Sequence, residues 1–146
     1  MVKQSRAKIK KTELAIPKNG RKGNVKYNGE EPLPHEKRTI RYLSKYGFDI
    51  ETIIPSNIPG SRNPDILMMG TFWEMKGPIS INENTIKNRF KKAKKQADGR
   101  AIFDLRNISS GAMAAESTII NLFITTRGMH RIIIIEKNGK VIDITK

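Results

Sequence analysis

Three features of the sequence predict an α/β fold, an α+β mixed sheet with helices packed on it. The length of 146 residues fits one domain. Short β-branched segments bounded by glycine and proline alternate with longer segments that have helical apolar spacing. Two apolar strands around Asn138-Gly139 close the chain as a hairpin, because this dipeptide is typical of tight turns. The predicted order is α-β-β-β-α-β followed by α-β-β.

The boundaries of these elements follow from turn residues and apolar periodicity. Pro34 and Gly47 delimit the first helix, and Gly99 ends the second. The segment before Gly128 fits either a helix or a strand, and its apolar spacing favours a helix. The predicted helices are residues 35–46, 82–98 and 111–126, and the predicted strands are residues 48–54, 65–69, 71–76, 101–105, 131–136 and 141–145.

The first 30 residues are predicted to be a flexible basic arm or linker, and residues 31–146 the folded domain. The arm is rich in lysine, arginine and glycine and has almost no periodic apolar pattern. A short strand at residues 24–27 is the one element that its composition allows.

Charge and composition narrow the classes of partner. The net charge is +14, which favours nucleic acid as the partner. No membrane insertion is expected, since the longest uncharged aliphatic stretch, residues 117–126, is too short to span a bilayer. Cysteine is absent, which excludes disulfides and thiolate zinc sites. A bound metal would have mainly oxygen ligands, as Mg²⁺ and Mn²⁺ prefer.

The candidate catalytic residues are Asp65, Glu74 and Lys76. If Gly70-Thr71 forms a two-residue turn, Asp65 lies opposite Lys76 and diagonal to Glu74, and all three project from one sheet face. The opposite face is predicted to be core, filled by Trp73, Met75, Ile66 and Met68. The two carboxylates can then reach one divalent cation, so Asp65 and Glu74 are the candidate metal ligands. The alternative is a surface hairpin in which Asp65 and Lys76 form an ion pair.

Glu36 is the fourth candidate catalytic residue, and its position favours the catalytic interpretation. It lies on the same helical face as Ile40 and Leu43, where a carboxylate is costly to bury unless a metal or a water compensates it. The alternative is that Glu36 occupies the first helical turn, where the helix dipole stabilises an anion.

The second helix carries the candidate nucleic-acid-binding residues. Six of nine consecutive residues from Lys87 onward are basic, which is typical of a surface that follows a phosphate backbone. The residues assigned to this surface are Arg89, Lys91, Lys92, Lys95 and Gln96. His35 and His130 belong to no catalytic histidine motif and are interpreted as structural or surface residues.

With these residues, the chain resembles the PD-(D/E)xK nuclease superfamily, whose core has the order α-β-β-β-α-β. Residues from about 35 to 146 are similar to the C-terminal tRNA-nuclease toxin domain of CdiA contact-dependent growth inhibition proteins. The similarity lies in "NPDILMMGTFWEMKGP", "KKQADGRAIFDL" and "RIIIIEKNGKVIDITK". Asp65, Glu74 and Lys76 match the motif residue by residue, whereas Glu36 and Gln96 match by their positions in helices.

The resemblance implies a metal-dependent endoribonuclease that cleaves tRNA. It also implies that the domain is part of a larger secreted protein, acts in the cytoplasm of a target bacterium and is blocked by a cognate immunity protein, which we expect to be acidic. Three alternatives stay open: a DNA endonuclease of the same fold, a non-catalytic nucleic-acid-binding protein, and a metal-independent ribonuclease that uses His35 or His130.

Overall fold

A mixed sheet carries three helices in the computed structural model, which describes residues 8–77 and 82–146. The strands are β1 (Lys10–Leu14), β2 (Val25–Lys26), β3 (Ile50–Thr52), β4 (Ile66–Met68), β5 (Thr71–Lys76), β6 (Arg100–Asp104), β7 (Arg131–Ile135) and β8 (Val141–Thr145). The helices are α1 (Pro34–Ser44), α2 (Glu83–Gln96) and α3 (Ala112–Thr125). The order across the sheet is β1-β8-β7-β6-β5-β4-β3-β2, and β5, β6 and β7 run parallel to one another. The predicted mixed α+β class is confirmed.

The sheet separates two apolar cores. In β7, Ile132 and Ile134 pack with residues of α2 and α3, whereas Ile133 and Ile135 pack with residues of α1. Successive side chains of a strand point to opposite faces, so a strand buried on both sides is apolar throughout. The central position of β7 therefore explains its run of four isoleucines.

The segment with ambiguous spacing is a helix, as predicted. In α3, Ala115, Ile119 and Phe123 are buried and recur every four residues, which places them on one helical face. The β-branched residues between them lie on the partly exposed sides. Tertiary burial along this single face outweighs the strand propensity of the sequence 117–126.

Part of the segment 1–30, which the sequence predicts to be a flexible arm, belongs to the sheet. Residues Lys10–Leu14 form β1, which pairs with β8 at one edge of the sheet, and Val25–Lys26 form β2 at the other edge. The predicted short strand at residues 24–27 is thus confirmed. β1 was missed because it is held by backbone hydrogen bonds and buries few of its side chains, so it has little apolar periodicity.

The turn between β4 and β5 also differs from the prediction. Met69 and Gly70 both have positive φ angles, 55° and 71°, and Met68 pairs with Thr71. Met69-Gly70, and not Gly70-Thr71, therefore forms the two-residue turn, with the positive φ at both positions that a type I′ turn requires. Moving the turn by one residue shifts each cross-strand partner by two, so the partners change but the faces do not.

A buried polar network connects α1 to β6. Thr39 Oγ1 donates to Asp104 Oδ2 over 2.7 Å, and Arg106 donates to both carboxylate oxygens over 2.9 and 2.7 Å. Burial alone would raise the pKa of Asp104, but the hydrogen bonds from Arg106 and Thr39 outweigh it and hold this pKa below its usual value. The Arg106 guanidinium also stacks on the ring of Tyr42, 4.0 Å from its centroid. This network fixes the orientation of α1 relative to the sheet.

Removing the charge of Asp104 should destabilise the fold more than removing one of its partners. Asp104→Asn weakens several charge-assisted hydrogen bonds and should lower the unfolding free energy by about 2 kcal/mol. Thr39→Val removes one hydrogen bond with little change in shape, and should cost about 1 kcal/mol. Urea unfolding followed by circular dichroism measures both values. Equal losses in the two variants would contradict this description of the network.

The neighbouring carboxyl groups of Glu116 and Glu136 predict that the unfolding free energy depends on pH. Burial, followed by a hydrogen bond and charge repulsion from Glu136, raises the pKa of Glu116 from 4.5 to about 7. The folded state therefore binds more protons than the unfolded state in this range, and the contribution of Glu116 to stability declines as the pH rises from about 4.5 to about 7. Glu116→Gln resembles the protonated form and should reduce this decline. Urea unfolding midpoints measured from about pH 4.5 to about pH 7 test this prediction. The control is Glu83→Gln, which changes an exposed glutamate.

Candidate active site

The predicted distribution of the motif residues between the two sheet faces is confirmed. Glu74 and Lys76 pair with residues of β6 that face α2, whereas Trp73 and Met75 belong to the core beneath α1. Asp65 comes directly before β4 and lies next to Glu74. The structure thus brings together the three residues that the sequence motif singles out.

Asp65 is closer to Glu74 than the predicted register allowed. Because Ile66 pairs with Trp73, Asp65 lies directly opposite Glu74 and not opposite Lys76. The backbone of Asp65 donates to the Trp73 carbonyl over 3.2 Å, and its Oδ2 accepts a hydrogen bond from the Met75 N–H over 2.7 Å. The Asp65 carboxylate is therefore fixed against β5.

Glu74 is a buried carboxyl group with two neighbours of opposite effect. Its exposure is 2 %, and burial, followed by the charge of Asp65 and a hydrogen bond to it, raises the Glu74 pKa to about 7. The Arg89 guanidinium opposes this increase, since its Nη1 donates to Glu74 Oε2 over 3.1 Å. Two neighbouring carboxyl groups form a site that a proton or another cation stabilises.

Lys76 lies at one wall of a cavity of about 180 Å³ that collects polar residues from three elements. Its polar lining consists of His35, Glu36 and Thr39 from α1, Asp65 and Lys76 from the hairpin, and Arg89 from α2. The ion pair between Asp65 and Lys76, the alternative considered from sequence, is not observed, because the shifted register places Glu74 opposite Asp65. No carboxylate in the described part of the chain forms an ion pair with Lys76.

Glu36 combines the two positions that the sequence left as alternatives. It occupies the first turn of α1, where its Oε1 accepts a hydrogen bond from the Leu33 N–H over 3.0 Å and caps the helix. It is half-buried, and it also lines the cavity beside Asp65 and Lys76. A carboxylate oxygen is therefore available near the motif residues, on an element that the Asp104 network holds in place.

Only some of the residues assigned to nucleic-acid binding have side chains exposed to solvent. Arg89 is directed at Glu74, whereas Lys91, Lys92 and Lys95 are exposed on α2. Gln96 Oε1 accepts a hydrogen bond from the Asn63 N–H. The side chain of Gln96 thus holds the loop that precedes Asp65. His35 lies at the cavity, and His130 is exposed and follows the loop after α3.

Sequence reasoning missed Arg62 and Asn63, which support the loop before Asp65. Arg62 donates to the Gln96 carbonyl over 3.3 Å, pairs with Asp98 over 2.9 Å and stacks on Phe72. Asn63 Oδ1 accepts a hydrogen bond from the N–H of Ser56, at the other end of the loop, over 2.8 Å. The two contacts with Gln96 could not be predicted from the turn-forming sequence, since they join the loop to a residue more than 30 positions away in α2.

The oxygen atoms of the site are of the type that a hard cation prefers. They are too few to complete its coordination shell, so water or a ligand would have to supply the rest. Asp65 and Glu74 provide carboxylate oxygens within reach of each other. Within residues 8–77 and 82–146, no three histidine, cysteine, aspartate or glutamate side chains are close enough to hold one metal ion. Mg²⁺ commonly takes one or two carboxylates and completes its shell with water and phosphate oxygens, so the two residues fit it.

Comparisons with known proteins identify the family of this chain and a similar fold. The family model described as "Contact-dependent growth inhibition CdiA C-terminal domain" matches residues 62–141, more than half of the chain and including Asp65, Glu74 and Lys76. No curated protein matches the sequence.

One solved structure is similar in fold, the "CdiA-CT/CdiI toxin and immunity complex from Burkholderia pseudomallei". The TM-score is 0.59 and the identity is 20%, over 83% of this chain and 99% of that one. Among the described residues, no helix is long and apolar enough to cross a membrane. From the family match, this chain belongs to the CdiA C-terminal domain family of contact-dependent growth inhibition proteins.

Proposed function

We propose that this domain is a metal-dependent nuclease, in which Asp65 and Glu74 bind a divalent cation, Mg²⁺ or Mn²⁺, and Lys76 acts on the reacting groups. The observation that carries the proposal is the position of Asp65 next to the buried Glu74 across the β4–β5 hairpin, beside a lysine without a carboxylate partner in the described residues. A bound cation would stabilise charge on a phosphodiester and lower the pKa of its water. The PD-(D/E)xK resemblance supports the same assignment.

The polar residues around the two carboxylates have separate roles in this proposal. The Lys76 ammonium orients the attacking water or offsets negative charge on the phosphate oxygens. Glu36 accepts a hydrogen bond from water at the opposite wall of the cavity, and Arg89 limits the repulsion between Asp65 and Glu74. Gln96 and Asn63 fix the loop before Asp65, so we assign them to positioning and not to substrate contact.

We propose that the substrate is RNA, and specifically tRNA. The basis is the resemblance to CdiA tRNA-nuclease domains. The net charge of +14 favours any polyanion, so it does not separate RNA from DNA. As a member of its family, the domain is proposed to be delivered into a target bacterium as part of a larger protein. The related Burkholderia pseudomallei domain was solved with an immunity protein, so we propose an acidic cognate inhibitor for this chain as well.

The division of labour among the motif residues can be tested with nearly isosteric variants. Asp65→Asn and Glu74→Gln each remove an anionic ligand, so Mn²⁺ affinity and cleavage should both fall, with cleavage lower by at least about 100-fold. Lys76→Met should lose cleavage to a similar extent but keep Mn²⁺ affinity equal or higher, because it removes a positive charge beside the cation. Titration calorimetry with Mn²⁺ and cleavage assays on labelled tRNA and plasmid DNA measure these effects.

The matched control is Lys26→Met, which removes an exposed lysine from β2. It should cleave at the wild-type rate. Wild-type cleavage by Lys76→Met would contradict the catalytic assignment, and cleavage that persists in EDTA would contradict the metal. Preferential cleavage of the plasmid would show that the substrate is DNA.

The exposed lysines of α2 predict a salt dependence of binding. Replacing Lys91, Lys92 and Lys95 with alanine removes three phosphate contacts, so the slope of log affinity against log salt should become shallower by about 2. Fluorescence anisotropy between about 50 and 500 mM salt, with the cleavage-deficient Lys76→Met background, measures the slope. The control replaces three exposed lysines near the N-terminus, Lys8, Lys10 and Lys11, which removes the same charge. If the control flattens the slope equally, net charge and not α2 determines binding.

A further inference from the structure

A groove of about 580 Å³ adjoins the candidate active site. It lies between the segment before α1, the end of β3 and the loop before Asp65. Leu33, Glu36 and Asp65 line both this groove and the smaller cavity that contains Lys76. A polynucleotide with its phosphate at Asp65 would therefore place a neighbouring nucleotide in the groove.

The lining of this groove does not suit a phosphate. Four acidic residues line it, Glu30, Glu31, Glu36 and Asp65, and none of the described lining residues is a lysine or an arginine. This is unusual in a chain of charge +14, and it disfavours a phosphate by charge repulsion. The remaining walls are largely apolar, and Leu33 and Ile54 are 58% and 63% exposed. Flat, uncharged groups with N–H donors are complementary to such a lining.

Three of the four carboxylates already have partners. Glu31 is paired with Lys37, Glu36 accepts from the Leu33 N–H, and Asp65 accepts from the Met75 N–H. For the exposed Glu30, the described residues offer neither an ion pair nor a hydrogen bond. Both of its carboxylate oxygens are therefore free to accept hydrogen bonds from a ligand.

The walls around Glu30 are fixed before any ligand binds. Asn28 is anchored to Thr52, with its N–H donating to Thr52 Oγ1 over 2.8 Å and its Nδ2 donating to the Thr52 carbonyl over 2.9 Å. On the other side, Asn63 is held by Ser56 and Gln96. A groove with fixed walls loses less entropy when it orders a ligand.

We propose that this groove binds a single unpaired nucleobase next to the cleaved phosphate, and that it selects guanine. The Watson–Crick edge of guanine carries two adjacent N–H donors, which match the two oxygens of the Glu30 carboxylate, whereas uracil offers one N–H between two acceptors. The apolar wall at Leu33 and Ile54 covers the face of the base. The inference rests on the proposed nuclease function and adds a base preference to it.

Binding of short oligonucleotides to the Lys76→Met variant tests the proposal without cleavage. We expect a uridine heptamer with one central guanosine to bind about tenfold more tightly than the all-uridine heptamer, as one bidentate base contact would give. Adding Glu30→Gln should abolish this preference, because an amide has one acceptor oxygen. Adding Leu33→Ser should weaken both heptamers. Fluorescence anisotropy measures the affinities, and deoxyribose versions of both heptamers test whether the preference needs RNA.

The matched control is Glu13→Gln, which removes another exposed carboxylate, from β1, and it should keep the full preference. Equal binding of the two heptamers, or a preference that survives Glu30→Gln, would overturn the groove assignment while the nuclease proposal stands. Absence of binding together with absence of cleavage by the wild-type protein would overturn both.

Discussion

The close approach of two carboxyl groups, Asp65 and Glu74, governs the arrangement of the whole candidate site. Each would be more stable alone in water, because burial and mutual repulsion both disfavour the charged forms. The β4–β5 hairpin nevertheless holds them opposite each other, since the Met69-Gly70 turn sets the register and the Met75 N–H binds Asp65. The fold therefore maintains an electrostatically costly pair that a cation would relieve, as expected of a functional site.

The surrounding elements keep this pair in place from different directions. Helix α2 contributes Arg89, which contacts Glu74, and Gln96, which holds the loop before Asp65. Helix α1 places Glu36 at the same cavity, and Asp104 binds that helix through Thr39. The stability of the site thus depends on polar contacts between distant segments as well as on the two apolar cores.

The charge of the molecule is unevenly distributed around the site. Exposed lysines cover the outer face of α2, whereas the groove beside Glu30 is lined by carboxylates and apolar groups. A polynucleotide has the same division, with anionic phosphates along its backbone and neutral bases beside it. The proposed nuclease function and the proposed base preference therefore use two different surfaces that meet at Asp65.

The sequence alone determined the mixed fold class and the face shared by Asp65, Glu74 and Lys76, because both depend on local periodicity. For α3 the sequence only favoured a helix, and burial of one face in the tertiary structure decided it. Only the tertiary structure decided that Asp65 lies opposite Glu74. The exact turn depends on backbone φ angles, which composition does not fix. The tertiary structure also decided that β1 joins the sheet and that Gln96 holds the loop before Asp65. Backbone pairing and long-range hydrogen bonds leave no periodic pattern in the sequence.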